Sequence, residues 1–342
     1  MFPCRVQTLG GFLNLRSAGW LFRSVSAVAP ALIAPCVVAA SPNERSARVR
    51  LVAVGDICLA GGVERASHKA EPTYPFTAML RTLQSADIAF GNLECVLSAR
   101  GRPVPKRYNF RARPAWAKKL YAAGFDVLSV ANNHTLDYGR AALADTVRHL
   151  REAGIVAVGA GETLSEALRV RILQRRGLRI GFLAYLGMFP PLLPIIADQP
   201  CVAMGHPHQV RRDVADARKQ VDVLIVSVHA GVERQSTPSA RQREIGRAAV
   251  DAGADLVLGH HPHIVQPVES YRGKPICYSL GNFVFDPSPA VLRNPAGPWS
   301  ALAVADLGSG GSVRVQLVPL RLQNRRPQLH GDSISRTVLC RP

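Results

Sequence analysis

ADLVLGHHPH, residues 254–263, is an apolar run that ends in a glycine and three histidines. The run from Asp255 to Leu258 predicts a short buried strand, and Gly259 is expected to let the backbone turn as it leaves the sheet. Pro262 restricts the directions of the histidines on either side of it. Imidazole is the commonest nitrogen ligand of divalent transition metals, so three histidines after a strand favour a metal site over a solvated polar loop.

Other predicted strands also end in polar side chains. These side chains could supply the oxygen ligands that would complete a metal site with the three histidines. These side chains follow apolar segments at 48–54, 87–90, 125–130 and 221–228, and they are Asp56, Glu94, Asn133 with His134, and His229. In an α/β sheet, ligands collect at the carboxyl ends of the strands. Two carboxylates, an Asn carbonyl and three imidazoles, with His261 and His263 included, would hold one or two divalent ions. His134 would lie beside the ligands and could protonate a leaving oxygen. Turn formation by Asp and Asn is the alternative for each residue alone.

Helical periodicity alternates with these strands and predicts one α/β catalytic domain. The predicted helices are 74–85, 114–123, 140–153 and 237–252, the last with Thr237 as N-cap, and the predicted hairpins join 169–173 to 178–185 and 300–306 to 312–322. The domain is expected to span residues 48–325, with a C-terminal tail at 326–342. His206 and His208 follow no strand and are expected to lie on the surface.

The first 40 residues differ from the rest of the chain. Their only charges are three arginines, and an apolar run of small residues ends at Val38-Ala39-Ala40. This pattern predicts export through a signal peptide, with an uncleaved membrane anchor as the alternative, followed by a linker at 41–47. The protein is then expected in the periplasm or anchored at the outer face of the inner membrane.

The charge balance and the cysteines limit the class of partner. The formal net charge is +18, which favours an anionic partner. No zinc-finger, helix-turn-helix or aromatic RNA-binding pattern is present in the sequence, so nucleic acid is not an expected partner. The seven cysteines match no disulfide framework. Cys58 and Cys95 are the pair to test first, because both lie beside proposed ligands; small buried apolar residues are the alternative.

Several motifs together resemble the CapA (poly-γ-glutamate capsule synthesis) family. They lie in order between residues 49 and 290 and are GNLE at 91–94, SVANNHTLDYG at 129–139, GAD at 253–255, GHHPH at 259–263 and YSLGNFVFD at 278–286. The resemblance implies the calcineurin-like metallophosphoesterase fold, a four-layer α-β-β-α sandwich with mixed sheets. It also implies a role with an anionic γ-glutamyl polymer, in or outside the inner membrane, beside capsule synthesis or export membrane proteins.

The resemblance also assigns site residues. Asp56 matches the first aspartate, Glu94 the bridging carboxylate, Asn133 and His134 the Asn-His pair, and His229, His261 and His263 the later histidines. The chain departs from the wider pattern at Cys58, where a histidine is usual, and at Glu94, where aspartate is usual. Cys58 or His260 could substitute for the missing imidazole, and Asn92 and Asn282 are further candidates for the metal or its surroundings. Mn, Mg, Zn and Fe are not distinguished by these residues.

Three functions remain open at this point. The first is a metal-dependent hydrolase linked to synthesis, release or export of an anionic capsule polymer. The second is a non-catalytic component that holds the polymer on a basic surface, and the third is a periplasmic phosphodiesterase or phosphatase unrelated to capsule. Arg107 and Arg111 could bind carboxylate or phosphate groups of the substrate, with a solvated basic loop as the alternative.

Overall fold

A computed structural model describes residues 48–189, 192–286 and 297–330. Its strands are β1 (Val49–Ile57), β2 (Ile88–Leu93), β3 (Val96–Leu97), β4 (Arg111–Ala112), β5 (Val127–Ser129), β6 (Val156–Val158), β7 (Ala160–Gly161), β8 (Arg171–Arg175), β9 (Leu178–Leu186), β10 (Cys201–Val202), β11 (Val223–His229), β12 (Leu256–His260), β13 (Val268–Tyr271), β14 (Lys274–Cys277), β15 (Asn282–Val284), β16 (Trp299–Gly308), β17 (Ser312–Gln323) and β18 (Arg326–Leu329). Its α-helices are α1 (Gly62–Ser67), α2 (Leu80–Gln84), α3 (Trp116–Ala123), α4 (Arg140–Glu152), α5 (Leu164–Leu168), α6 (Pro207–Arg218) and α7 (Ala240–Asp251), and Thr77–Met79 and Ser309–Gly311 form 3₁₀ turns.

Two mixed sheets lie face to face. The first has the order β18-β17-β16-β1-β2-β5-β6, and β15 pairs in parallel with the end of β1. The second has the order β13-β14-β12-β11-β9-β8. In the first sheet β1, β2, β5 and β6 are parallel and run to one edge, and β16, β17 and β18 are antiparallel on the other side. In the second sheet the central strands are parallel and an antiparallel strand lies at each edge. This arrangement brings the carboxyl ends of the parallel strands to one edge of each sheet.

Three apolar clusters separate four layers. One lies between the sheets and takes alternate side chains from both, such as Leu51 and Ala53 of β1 and Leu256 and Leu258 of β12. A second packs the outer face of the first sheet against α2, α3 and α4. The third packs the outer face of the second sheet against α6 and α7. The predicted α-β-β-α sandwich is confirmed.

Local differences from the sequence predictions have simple causes. The helix predicted at 74–85 forms only from Thr77 onward, first as a 3₁₀ turn and then as α2. The predicted N-cap of α7 was wrong by two residues: Ser239, and not Thr237, accepts from the backbone of Gln242, whose side chain returns the bond in a capping box. Strand β18 continues the first sheet beyond residue 325, because its backbone pairs with β17.

Gly259 has a different role from the one expected. It lies inside β12 with no left-handed backbone, and a Cβ there would come within 2.0 Å of the carbonyl oxygen of Tyr278. Glycine is therefore required for close approach of two backbones, and not for a turn. The reversal falls instead on His261 and His263, which have φ values of 97° and 59°.

The predicted signal peptide or anchor at 1–40, the linker at 41–47 and the end of the predicted tail at 331–342 lie outside the described residues. Among the described residues, no helix has both the length and the apolar character needed to cross a membrane.

Candidate metal centre

The six predicted ligands come together between the carboxyl ends of the two sheets. Asp56 ends β1, Glu94 follows β2, and Asn133 follows β5 in the first sheet, whereas His229 ends β11 and His261 and His263 follow β12 in the second. The carboxylates and the three imidazoles are all buried. Buried ionisable groups need partners or a metal ion, so their assembly at one place has a specific purpose.

Two groups of ligand atoms share one carboxylate. Asp56, Glu94 and His263 form the first group, and Glu94, His229 and His261 form the second; within each group the ligand atoms lie within 4.8 Å of one another. Asn133 adjoins the second group, since its Oδ1 lies 2.9 Å from His229 Nε2. Glu94 is thus placed where a carboxylate could bridge two divalent ions.

The hydrogen-bonding state of Glu94 tests whether a cation fits. Both carboxylate oxygens are buried and have no hydrogen-bond partner, and the nearest imidazole nitrogens are 3.5 Å away (His229 Nε2) and 3.9 Å away (His263 Nδ1). His261 Nδ1 is also buried without a partner. Orphaned buried acceptors of this kind are costly unless a ligand satisfies them. The donor set of carboxylate, amide and imidazole therefore fits a divalent metal ion.

Three further side chains lie beside the ligands, and two of them form hydrogen bonds with the ligands. The Asn92 amide donates to Asp56 Oδ1 over 2.8 Å and lies 3.2 Å from His229 Nδ1, so it joins a ligand of each sheet. Asn282 Oδ1 lies 2.9 Å from His263 Nδ1. His260 is fully buried, 3.4 Å from Asp56 Oδ1, and neither ring nitrogen has a hydrogen-bond partner. These contacts place Asn92, Asn282 and His260 around the ligands, and outside the two groups.

Cys58 lies in neither ligand group, although it follows Asp56 by two residues. Its thiol is buried in the apolar cluster on the outer face of the first sheet, which also contains Cys95. Burial, reinforced by Cys95, raises the pKa of Cys58 well above its ordinary value. Among the described residues, the imidazole missing at position 58 has no replacement in the ligand groups.

The backbone at the opening motif is strained. His261 and His263 both adopt the left-handed region, which non-glycine residues rarely occupy. The His261 backbone N–H donates to Asp56 Oδ2 over 3.2 Å, which ties the loop to the opposite sheet. Strained residues of this type cluster at functional sites, where surrounding contacts compensate for their cost.

Burial and mutual charge set the protonation states of these groups. Burial would raise the pKa of Asp56, but contacts with His260 and His263 hold that pKa well below its ordinary value. Burial and the charge of Asp56 raise the pKa of Glu94 well above its ordinary value. Burial opposes protonation of His263, yet Glu94 and Asp56 raise its pKa to about 10. In the absence of metal, His263 therefore supplies the positive charge beside Asp56 that a divalent ion would supply when bound.

Two imidazoles are neutral and ready to coordinate. Burial lowers the pKa of His229 well below its ordinary value. Burial, with the charge of His263, lowers the pKa of His261 to about 3. Metal ligation requires neutral imidazole, so these two side chains need not lose a proton before they bind an ion.

His134 belongs to a separate dyad. Its Nδ1 donates to Asp137 Oδ2 over 2.7 Å, and Phe110 stacks on the ring with 4.1 Å between centroids. The Asp137 carboxylate also accepts the Phe110 backbone N–H and forms an ion pair with Lys106. Burial, with the charges of Lys106 and His263, lowers the pKa of His134 despite Asp137. His134 is thus held as a neutral imidazole with its Nδ1 proton fixed, which leaves Nε2 as an acceptor.

Lys106, Phe110 and Asp137 were not among the predicted site residues. Asp137 could have been found from its position three residues after His134, in the same turn. Lys106 and Phe110 have no comparable signal, because a long loop brings them to the dyad. The predicted surface histidines His206 and His208 lie outside the ligand groups and are exposed.

Arg107 and Arg111, the predicted substrate-binding residues, are exposed; Arg107 lies on this same loop and Arg111 begins β4 where the loop ends. The Arg107 guanidinium lies over the ring of Tyr108 at 5.1 Å, and that of Arg111 over Tyr138 at 4.1 Å. Among the described residues neither arginine forms an ion pair with a carboxylate. Aromatic stacking therefore orients both cations without neutralising them.

Comparison with known proteins finds related sequences across most of the chain. A family model described as "Bacterial capsule synthesis protein PGA_cap" matches residues 50–287. The capsule biosynthesis protein CapA of Bacillus anthracis is 30% identical over 299 residues, which cover 85% of this chain and 72% of that protein. The PGA biosynthesis protein CapA of Bacillus subtilis (strain 168) is 30% identical over 292 residues, which cover 84% of this chain and 76% of that protein.

One solved structure supports the fold. A Staphylococcus aureus protein described as a 5'-nucleotidase superposes with a TM-score of 0.51 at 13% identity, and the match covers 84% of this chain and 55% of that protein. The chain thus spans little more than half of that neighbour's length. At this identity the likeness concerns the sandwich fold alone.

Proposed function

Because the chain belongs to the family of bacterial capsule synthesis proteins, we propose that it is a metal-dependent hydrolase that acts on an anionic polymer of the poly-γ-glutamate type during its synthesis, release or export. The observation that supports catalysis most directly is Glu94, whose two buried oxygens lack partners and face both ligand groups. A purely structural site would have satisfied them with hydrogen bonds.

The residues that would hold one or two divalent ions are Asp56, Glu94, Asn133, His229, His261 and His263. When bound, a divalent ion supplies Lewis acidity toward a phosphoryl or carbonyl oxygen and lowers the pKa of water. His134 takes up a proton at Nε2 and returns it to the leaving group, while Asp137 holds its Nδ1 proton and so fixes the ring. Lys106 and Phe110 hold Asp137 and His134 in this orientation.

The proposed location is outside the cytoplasm. The basic and apolar pattern of residues 1–40 supports export or anchoring at the outer face of the inner membrane, beside the membrane proteins of a capsule synthesis or export system. Arg107 lies on the loop that also carries Lys106, and Arg111 begins β4 at the end of that loop. Both cations would attract the carboxylates of an acidic polymer toward the dyad.

A non-catalytic polymer-binding role is the second candidate. It is favoured by Cys58, which is absent from the ligand groups at the position where the wider phosphoesterase pattern has a histidine. The polymer would then be held on the basic surface without hydrolysis. A phosphodiesterase or phosphatase unrelated to capsule differs from the first proposal only in its substrate.

The test uses the full-length chain, stripped with chelator and reloaded with Mn²⁺, Zn²⁺, Fe²⁺ or Mg²⁺. Bound metal is counted by mass spectrometry, and turnover is measured on a γ-glutamyl polymer and on a chromogenic phosphodiester. Asp56→Asn and His261→Ala should abolish turnover and weaken metal binding, whereas His208→Ala, at an exposed histidine, should change neither. Polymer binding that is salt-sensitive, without turnover, and unchanged in both site variants would support the non-catalytic role instead. Turnover on the phosphodiester alone would indicate the third function.

A further inference from the structure

Two cysteines lie directly beside the ligands of the two central strands. Cys58 follows Asp56 by two residues at the end of β1, and Cys95 follows Glu94 at the end of β2. The strands are parallel neighbours with Ile57 opposite Leu93, and the Glu94 backbone N–H donates to the Ile57 carbonyl over 2.8 Å. The pairing of the strands therefore brings Cys58 and Cys95 within one residue of each other in register, just beyond the paired ends.

Both thiols lie inside the protein, on the same side of the first sheet. Cys58 and Cys95 are each 2% exposed and belong to the same apolar cluster, and Cys95 is among the neighbours that raise the pKa of Cys58. The other two described cysteines, Cys201 and Cys277, lie in two different clusters, so neither is packed with this pair. Nothing in the metal centre or in the proposed mechanism uses the pair.

We propose that Cys58 and Cys95 form a disulfide that crosslinks the ends of β1 and β2 beneath the metal centre. The oxidant is a disulfide compound of the glutathione or protein-disulfide class. One cysteine attacks a sulfur of that disulfide and releases one thiol; the second cysteine then displaces the other half, so that two protein thiols lose their protons and one disulfide is reduced to two thiols. Because both side chains are buried in the folded chain, the exchange takes place during folding or transient opening.

The crosslink would hold Asp56 and Glu94 at a fixed separation. Each ligand lies within two residues of a bonded cysteine, and the first ligand group contains both carboxylates. Position 58 then contributes a covalent link to the site in place of the imidazole that the wider pattern has there. The disulfide rests on the proposed function in one respect, because export would place the protein in an oxidising compartment. Formation of the disulfide can be tested whether or not the protein is a hydrolase.

The experiment exposes the full-length chain to a glutathione redox buffer in mild denaturant, returns it to native buffer, and alkylates the remaining thiols after full denaturation. Peptide mass spectrometry should find a peptide containing Cys58 linked to one containing Cys95, lighter than the separate peptides by two hydrogen atoms. Cys201 and Cys277 should be alkylated completely. Cys201→Ser should retain the crosslink, whereas Cys58→Ser and Cys95→Ser should each lose it.

A second measurement separates a functional crosslink from an incidental one. The oxidised chain should bind Mn²⁺ about tenfold more tightly than the reduced chain, the scale reported for groups that support metal ligands. The Cys58→Ser/Cys95→Ser double variant should bind with the affinity of the reduced chain in both buffers. Complete alkylation of Cys58 and Cys95 after oxidation would overturn the proposal. A second result would also overturn it: the two thiols are protected from alkylation, chelator reverses this protection, and the peptides have lost no hydrogen atoms. That result would make the two thiols metal ligands.

Discussion

Replacing Glu94 with glutamine gives the most informative test of the metal centre, because it removes one charge and keeps the shape of the side chain. Glu94 belongs to both ligand groups. Structural zinc sites bind with about 10–16 kcal/mol through four ligands, or about 3–4 kcal/mol for each ligand. Loss of Glu94 should therefore weaken the binding of each ion by about 10²- to 10³-fold, since about 1.4 kcal/mol corresponds to a factor of ten in the dissociation constant.

The same change should stabilise the metal-free protein at neutral and alkaline pH. The pKa of Glu94 is raised in the folded state by burial and by Asp56. Its contribution to stability is therefore fully present below its unfolded pKa and is lost as pH rises through the folded pKa. Over that window the free energy of unfolding falls by about 1.4 kcal/mol for each pH unit. Glutamine does not titrate, so the variant should be more stable than the parent at pH 8 and lose that advantage near pH 4.

Saturating metal should reverse the order of stability. The parent gains stability from a bound ion according to the ion concentration relative to its dissociation constant, whereas Glu94→Gln gains little. Urea unfolding at several pH values, with chelator and with Mn²⁺, gives the free energy of unfolding of the parent and of the variant, each without and with metal. Calorimetric titration gives the affinity for the metal ion. Glu244→Gln is the matched control, since Glu244 is exposed and pairs only with Arg241. Metal affinity of Glu94→Gln within threefold of the parent, or a lower stability of its metal-free form at pH 8, would refute the reasoning.

Three further predictions concern the dyad and the opening motif. His134→Asn should lower kcat by about 10²-fold or more while metal stoichiometry, measured by mass spectrometry, stays unchanged; loss of metal would instead make His134 a ligand. Lys106→Met should move the His134 limb of the pH–rate profile to higher pH, because the charge of Lys106 lowers the pKa of His134; an unmoved limb would contradict that role. Gly259→Ala should destabilise the protein by about 4 kcal/mol or more in urea unfolding, because its Cβ would overlap the Tyr278 carbonyl oxygen; an unchanged midpoint would show that the two backbones can separate.

Much of the fold and most of the ligand set were accessible from local pattern. Apolar runs that end in glycine, acid or histidine predicted the parallel strands, because buried strands are apolar throughout and their carboxyl ends collect ligands. The predicted helices at 114–123 and 140–153 agree with α3 and α4 to within two residues at each end. Asp56, Glu94, Asn133, His229, His261 and His263 were all predicted from strand ends and motif spacing, and the structure brings them to one place.

What the sequence alone determined is the set of six candidate ligands and the sandwich that presents them, since both depend on periodicity and on motifs within short segments. Only the tertiary structure decided where each of the neighbouring side chains lies relative to the ligands. It placed Cys58 in the same apolar cluster as Cys95 and outside the ligand groups, put His260 beside Asp56, and brought Lys106 and Phe110 to the His134–Asp137 dyad. The physical reason is that orientation at a strand end depends on register, on left-handed backbone at His261 and His263, and on packing between segments distant in the chain.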